Sequence, residues 1–224
     1  MPYISKPTEA AQTIFEDFLA RLEEKIADPA LDRNDVVRDV LYEIYLGGAL
    51  DAKKLYSHRY PVAARALMAS FDPRNVGFED FNVDSQEYSK RRPLIWLWKM
   101  FDRSPLGLNH LLGFRLRSML AKFIFRSVGR DFICFPYVEF KYGYNISVGD
   151  GVTLGRHVLL DDRGEIVIGS GAELADYVQV CSEAGESTVI GERVKLGYHS
   201  LVPSGRRISN GACLGVMALA PEGM

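Results

Sequence analysis

Cysteine, histidine and long apolar runs are all scarce in this chain, and each shortage removes a class of function. Three cysteines, Cys134, Cys181 and Cys213, form an odd set without metal-ligand spacing, so neither a disulfide framework nor a metal centre is expected to organise the fold. The longest apolar run of the basic stretch, Pro93 to Trp98, is far too short to span a bilayer, and the first thirty residues carry no signal-peptide pattern. Cytoplasmic residence is the expectation. A dominant charge is missing too: 27 Lys and Arg face 29 Asp and Glu, so no nucleic-acid partner is expected, although basic residues cluster between Lys90 and Arg130.

What the chain has instead is a period. An aliphatic or small apolar residue returns every sixth position from Val148 through Leu154, Leu160, Ile168, Leu174, Val180, Ile190, Leu196, Val202, Ile208 and Leu214 to Ala220, with one step of eight and one of ten. Glycine usually follows it, as at Gly149, Gly155, Gly169, Gly191, Gly197 and Gly215. A second small residue lies four places on: Val152, Val158, Ala172, Val178, Val194, Ser200, Ala212 and Ala218. Three short strands per coil is the register of a parallel β-helix, and twelve repeats make about four coils. A β-sandwich would need period two and no fixed glycine.

Ahead of the repeats the pattern is helical. Ile14, Phe15, Phe18, Leu19, Leu22 and Ile26 share one face; Val37, Val40, Leu41, Ile44 and Tyr45 share another, with Asn34 as N-cap and Gly47-Gly48 as stop. Pro61 suits the first turn of a third helix carrying Ala64, Leu67, Met68 and Phe71, ended by Asp72-Pro73. The polar stretch from Asn75 to Lys90 reads as a boundary. The expected organisation is a helical region over 1–85, a linker with capping helices over 86–130 and a β-helix over 131–224. In the middle part Leu106 to Phe125 interleaves apolar residues with Arg115, Arg117, Lys122 and Arg126. Such a helix can cap the open end of a solenoid, or lie on a membrane surface as a peripheral contact, the less favoured reading.

Two stretches, Tyr142-Gly143-Tyr144-Asn145-Ile146-Ser147-Val148-Gly149-Asp150 and Leu160-Asp161-Asp162-Arg163-Gly164-Glu165-Ile166, resemble the hexapeptide-repeat acyltransferases, in particular the maltose and galactoside O-acetyltransferase branch. The resemblance implies a left-handed β-helix, a homotrimer, and acetyl-CoA or another acyl-CoA as co-substrate in the cleft between subunits. It also implies transfer to a small hydroxylated or sugar-like acceptor, and no metal. The family keeps its catalytic histidine in the loop after the second coil. Here that loop, Cys181 to Ser187, has none, and only Glu183 and Glu186 flank the expected place. Where the family usually continues with a threonine and a basic residue, this chain has Pro221-Glu222.

The repeat register offers other candidates. His157, Tyr177, His199 and Met217 hold the same slot in successive coils and should stack along one face, the two histidines flanking a ligand that lies along the axis. A hydroxyl loses its proton most readily to a group titrating near neutrality, which makes His199 the first candidate base, ahead of Glu183 and Glu186. His157, Asp161 and Asp162 are expected to meet the acceptor, the two aspartates forming an acidic rim with Glu183 and Glu186. Tyr198, Val216 and Ala218 are expected to border the cofactor. The rival readings are a trimeric scaffold without catalysis, whose helical region binds a partner, and a metal-dependent carbonic anhydrase on the same fold. The four histidines (His58, His110, His157, His199) lack the close pair that the anhydrase needs.

Overall fold

The computed structural model describes residues 7–49, 51, 53, 57–77 and 85–222. Its contacts divide the chain after Leu106, where the sequence pattern places divisions after residues 85 and 130. The first unit holds α1 (Glu9–Ala27), α2 (Arg33–Leu46), α3 (Val62–Ser70), a 3-10 turn (Pro73–Asn75) and α4 (Ser85–Asp102). The N-cap of α2 is Asp32 rather than Asn34: its carboxylate accepts the Asn34 N–H at 2.8 Å, so the helix starts earlier than expected. Gly47 ends it in the left-handed conformation, φ 67°. The expected apolar faces are buried only in part, since Leu19, Leu22, Ile26 and Met68 are covered while Ile14 and Leu67 are exposed. Part of the polar stretch from Asn75 to Lys90 is helix, because α4 already begins at Ser85, and residues 78–84 lie outside the described ones.

In the second unit Asn109 caps α5 (His110–Ile124) by accepting the Leu111 and Leu112 N–H groups. Leu112, Leu116, Leu120 and Ile124 are buried, and the helix packs on the first two strands of the sheets behind it, as a cap would. Its basic residues do not form one surface stripe. Arg117 is fully buried, and its guanidinium donates to the carbonyls of Gly107 (2.7 Å) and Cys134 (3.4 Å). Among the described residues no helix is long and apolar enough to cross a membrane.

The rest of this unit is a parallel β-helix with three faces. The first face stacks β1 (Ser127–Val128), β4 (Ile146–Val148), β7 (Glu165–Ile168), β10 (Ser187–Ile190) and β13 (Arg207–Ile208). The second stacks β2 (Ile133–Cys134), β5 (Thr153–Leu154), β8 (Glu173–Leu174), β11 (Lys195–Leu196) and β14 (Cys213–Leu214). The third stacks β3 (Glu139–Phe140), β6 (Leu159–Asp162), β9 (Gln179–Ser182) and β12 (Leu201–Val202), with Leu219 bridging to Leu201 above them. Register follows the aliphatic ladder: Val148 pairs with Ile168, which pairs with Ile190, which pairs with Ile208. Each buried rung contributes about 1.5–3 kcal/mol by leaving water. The other two faces carry matching buried columns, Leu154, Leu174 and Leu196 on one and Leu160, Val180 and Val202 on the other. The ladder also begins one coil before the sequence reading, since Val128 pairs with Val148, Cys134 with Leu154 and Phe140 with Leu160.

Between the faces the chain turns three corners, and they are built differently. The first corner is held by Asp131, Gly151, Gly171, Arg193 and Gly211, all with φ between 53° and 71°. The second needs the same left-handed backbone but contains no glycine: Tyr137, His157, Tyr177, His199 and Met217 have φ between 55° and 66°. Inter-coil hydrogen bonds hold them there, with the N–H groups of Tyr177, His199 and Met217 donating to the carbonyls of Arg156 (2.8 Å), Asp176 (3.2 Å) and Tyr198 (2.8 Å). The third corner absorbs every irregular step of the period, in loops around Tyr142, Gly164 and Gly185.

Candidate functional site

The loops at the third corner contain the stretches that carry the family resemblance, and the structure shows what those residues do. Asp162 is fully buried, and its carboxylate accepts the backbone N–H groups of Lys141 (2.8 Å), Tyr142 (3.0 Å) and Gly143 (2.6 Å). Burial pushes its pKa up to about 6, against the pull of those three donors. Asn145 donates to the Asp162 carbonyl at 2.9 Å, and Tyr142 stacks on Tyr144 at 5.5 Å. Asp162 therefore pins one coil to the next and does not stand on an acidic rim, contrary to its expected role against the acceptor. A side chain on a four-residue strand alternates in and out, and Asp162 falls on the inner side beside buried Leu160.

Asp161 faces outward but is clamped by Arg163, with two oxygens each 3.0 Å from a guanidinium nitrogen. Glu183 and Glu186 are exposed, and the carboxylate of Glu186 accepts the Ser204 hydroxyl at 2.6 Å, while the Glu183 N–H donates to Ser204 Oγ at 2.6 Å. The loop is thus tied to the next coil. Beside it the Cys181 thiol is pushed up by burial, then by Asp161, and is a poor nucleophile.

The second corner carries the histidines. Tyr137, His157, Tyr177 and His199 form one column of rings with centroids 4.9, 4.8 and 4.6 Å apart and planes within 14°, 8° and 5° of parallel. The expected stacking is present. The expected space between the two imidazoles is not, because the ring of Tyr177 fills it. His157 is covered on both faces, so only its edge can meet an acceptor. His199 is the last ring: one face lies on Tyr177, and the next rung is Met217, 76% exposed and without a ring. Tyr198 and Val216 flank it and are exposed by 55% and 63%, whereas Ala218 is half-buried at the end of the inner column that holds the fully buried Val178 and Ser200.

Three residues at this corner escaped the sequence reading. Tyr137 starts the column in the coil that was missed; counting twenty residues back from His157, along Val128, Cys134 and Phe140, would have found it. Arg156 stands over the Phe135 ring at 4.9 Å and 3.5 Å from Asp176, whose other oxygen accepts the Arg156 N–H at 2.8 Å. His110, at the start of α5, stacks on Phe114 at 5.3 Å and meets the edge of Phe135 at 5.9 Å. Burial, then the cations of Arg156 and Arg117, hold its imidazole below the ordinary histidine value. No sequence spacing links α5 to that corner.

Within one chain the two sets of candidates stay apart. His199 ends the second corner and the glutamates sit on the third, with a full face of strand between them, on the order of 15–20 Å at about 3.3 Å per residue. Among the described residues no group of His, Cys, Asp and Glu could hold a metal ion.

No family model matches the chain. No curated protein matches it either. Solved structures do. An N-acyltransferase from Bacillus cereus, AntD, in complex with dTDP and Coenzyme A, is 17% identical over 47% of this chain and 78% of its own, with a TM-score of 0.33. Serine acetyltransferase 1 of Entamoeba histolytica, in complex with L-cysteine, is 9% identical over 84% and 74%, with a TM-score of 0.38. A serine acetyltransferase in complex with CoA is 15% identical over 92% and 93%, with a TM-score of 0.24. At such scores these likenesses add nothing to the fold read from the strand pairings.

Proposed function

We propose that the chain is a CoA-dependent acyltransferase that moves an acetyl group to a small hydroxylated or sugar-like acceptor, as the motifs resembling the maltose and galactoside branch suggest. In this reading it works in the cytoplasm as a homotrimer. The observation that carries the reading is the second corner, where a β-helix keeps a column of rings in left-handed backbone and ends it on an exposed imidazole. A non-glycine residue held there costs about 1–2 kcal/mol, so side chains kept in that place at every coil point to a use for them. His199 takes the acceptor's proton as the hydroxyl attacks the thioester, and CoA leaves as the thiol. Tyr198 and Val216 border the cofactor, and His157 lies on the column along which an acceptor would run, with Asp161 at the far end of the strand that follows it. A neighbouring copy brings its own loops toward this corner, which a single chain cannot do.

The test is CoA release from acetyl-CoA over a panel of sugars and amines, with acetyl-CoA binding measured separately. His199→Ala should lower kcat by about 100-fold to 10,000-fold with binding kept, while Glu183→Gln and Glu186→Gln stay within a few-fold. Full activity in His199→Ala sinks the assignment. A wild-type chain that neither binds acetyl-CoA nor turns over makes the fold a scaffold, with the helical region as the part that meets a partner.

A further inference from the structure

Hydrogen bonds do not orient His199. A base in an acyl-transfer site ordinarily has its second ring nitrogen fixed by a carboxylate or a carbonyl. Among the described residues the imidazole of His199 has no such partner, and Asp176, whose carbonyl accepts the His199 N–H, has its carboxylate engaged by Arg156. What touches the ring is Tyr177, whose centroid is 4.6 Å away in a plane only 5° off parallel. Tyr177 is itself seated on His157 (4.8 Å, 8°) and His157 on Tyr137 (4.9 Å, 14°), so the column beneath the last ring is built of rings throughout.

The backbone reinforces the arrangement. Tyr177 and His199 have φ 64° and 58°, and each N–H is tied to a carbonyl of the coil below, so the two Cα–Cβ bonds leave the corner at the same angle. Once the backbone is set, the face of Tyr177 is the ring contact that limits the torsions of His199. The Tyr177 hydroxyl has no hydrogen-bond partner among the described residues, which leaves the ring face as the working part of the side chain.

We propose that Tyr177 is the positioning residue of His199: its ring face, and not its hydroxyl, holds the imidazole in the orientation from which it takes a proton. The inference rests on the acyl-transfer reading for its consequence, though the orientation itself does not depend on any activity. Two measurements separate them. In the full chain with 13C-labelled histidine, the ring C–H resonances of His199 report ring-current shifts from Tyr177. Tyr177→Ala should move them downfield, and Tyr177→Phe should return them toward their wild-type positions. In the CoA-release assay Tyr177→Ala should lose about 10-fold to 100-fold in kcat with KM for acetyl-CoA unchanged, and Tyr177→Phe should restore most of it. Tyr177→Leu, which keeps bulk on the column without a π face, guards against a folding defect and should behave as Tyr177→Ala does.

Resonances of His199 that stay put in Tyr177→Ala overturn the proposal outright. Resonances that move while kcat does not, in a chain that His199→Ala inactivates, overturn it as a statement about catalysis. If His199→Ala is as active as wild type, the acyl-transfer reading has failed and the proposal is overturned as a statement about catalysis, while the resonance shifts still decide whether Tyr177 orients His199. A loss in Tyr177→Phe as deep as in Tyr177→Ala assigns the work to the hydroxyl and also overturns the proposal.

Discussion

The second and third corners of the β-helix present opposite relations between how a sequence looks and what its residues do. The third corner contains the stretches that resemble a family, yet their polar side chains are spent on backbone: Asp162 on three N–H groups, Asn145 on a carbonyl. The second corner lies outside those two stretches, yet it leaves rings exposed in a conformation they do not prefer. The polar residues of a resembling stretch can therefore serve to close a coil, while the exposed rings of the second corner are marked only by their place in the period.

Removing Asp162 should break the comparison most severely. Asp162→Ala leaves three backbone donors unpaired around a buried gap, and a loss of about 3 kcal/mol or more is expected in urea unfolding. The same carboxylate gives a pH dependence. Its folded value, about 6, lies above the usual carboxylate value near 4, so the native state binds the extra proton in that window. Stability should fall as pH rises from about 4 to about 6, by at most about 2–3 kcal/mol, and Asp162→Asn should flatten that part of the curve. A curve that rises through the same window would show that the three donors win over burial.

Next in size is the column itself. Tyr177→Ala removes two ring contacts worth roughly 0.5–1.5 kcal/mol each and keeps the left-handed penalty, whereas Tyr177→Gly removes the contacts and the penalty together. Glycine should thus be the less damaging substitution, the reverse of the usual order. At the first corner, where Gly171 has φ 70°, Gly171→Ala should cost about 1–2 kcal/mol with no ring contact involved. Equal effects of Ala and Gly at Tyr177 would mean that the column does not strain its backbone.

The smallest expected effect has the opposite sign. Ser200 follows His199 and puts its hydroxyl into the apolar interior, with no hydrogen-bond partner among the described residues. Coils below place Val158 and Val178 in that column. Ser200→Ala should raise stability by about 1 kcal/mol, seen as a higher urea midpoint at unchanged slope.

The parallel β-helix was legible because its demand on the sequence is periodic: one inward aliphatic per strand, at Val148, Leu154, Leu160 and onward, with strand partners that follow from the count. The first coil was missed because Cys134 and Phe140 stand in for the aliphatics and no glycine follows them. Stacking of His157, Tyr177 and His199 was legible for the same reason as the ladder. What the sequence could not show was which way a side chain turns at the end of a strand, so Asp161 and Asp162 look alike although one is outside and the other buried. Nor could it show that α5 brings His110 to Phe135, since that contact depends on how a helix lies across a coil.

The third corner has one more consequence. Steps of eight, eight and ten residues pass through it, from Phe140 to Val148, Leu160 to Ile168 and Val180 to Ile190, and the strands on either side keep their partners. Length can therefore be added or removed there as in a margin, outside the text that the rungs must keep in order. A longer segment grafted between Ala184 and Glu186 should leave the coils as they are, which makes this corner the natural port for giving the scaffold a new specificity.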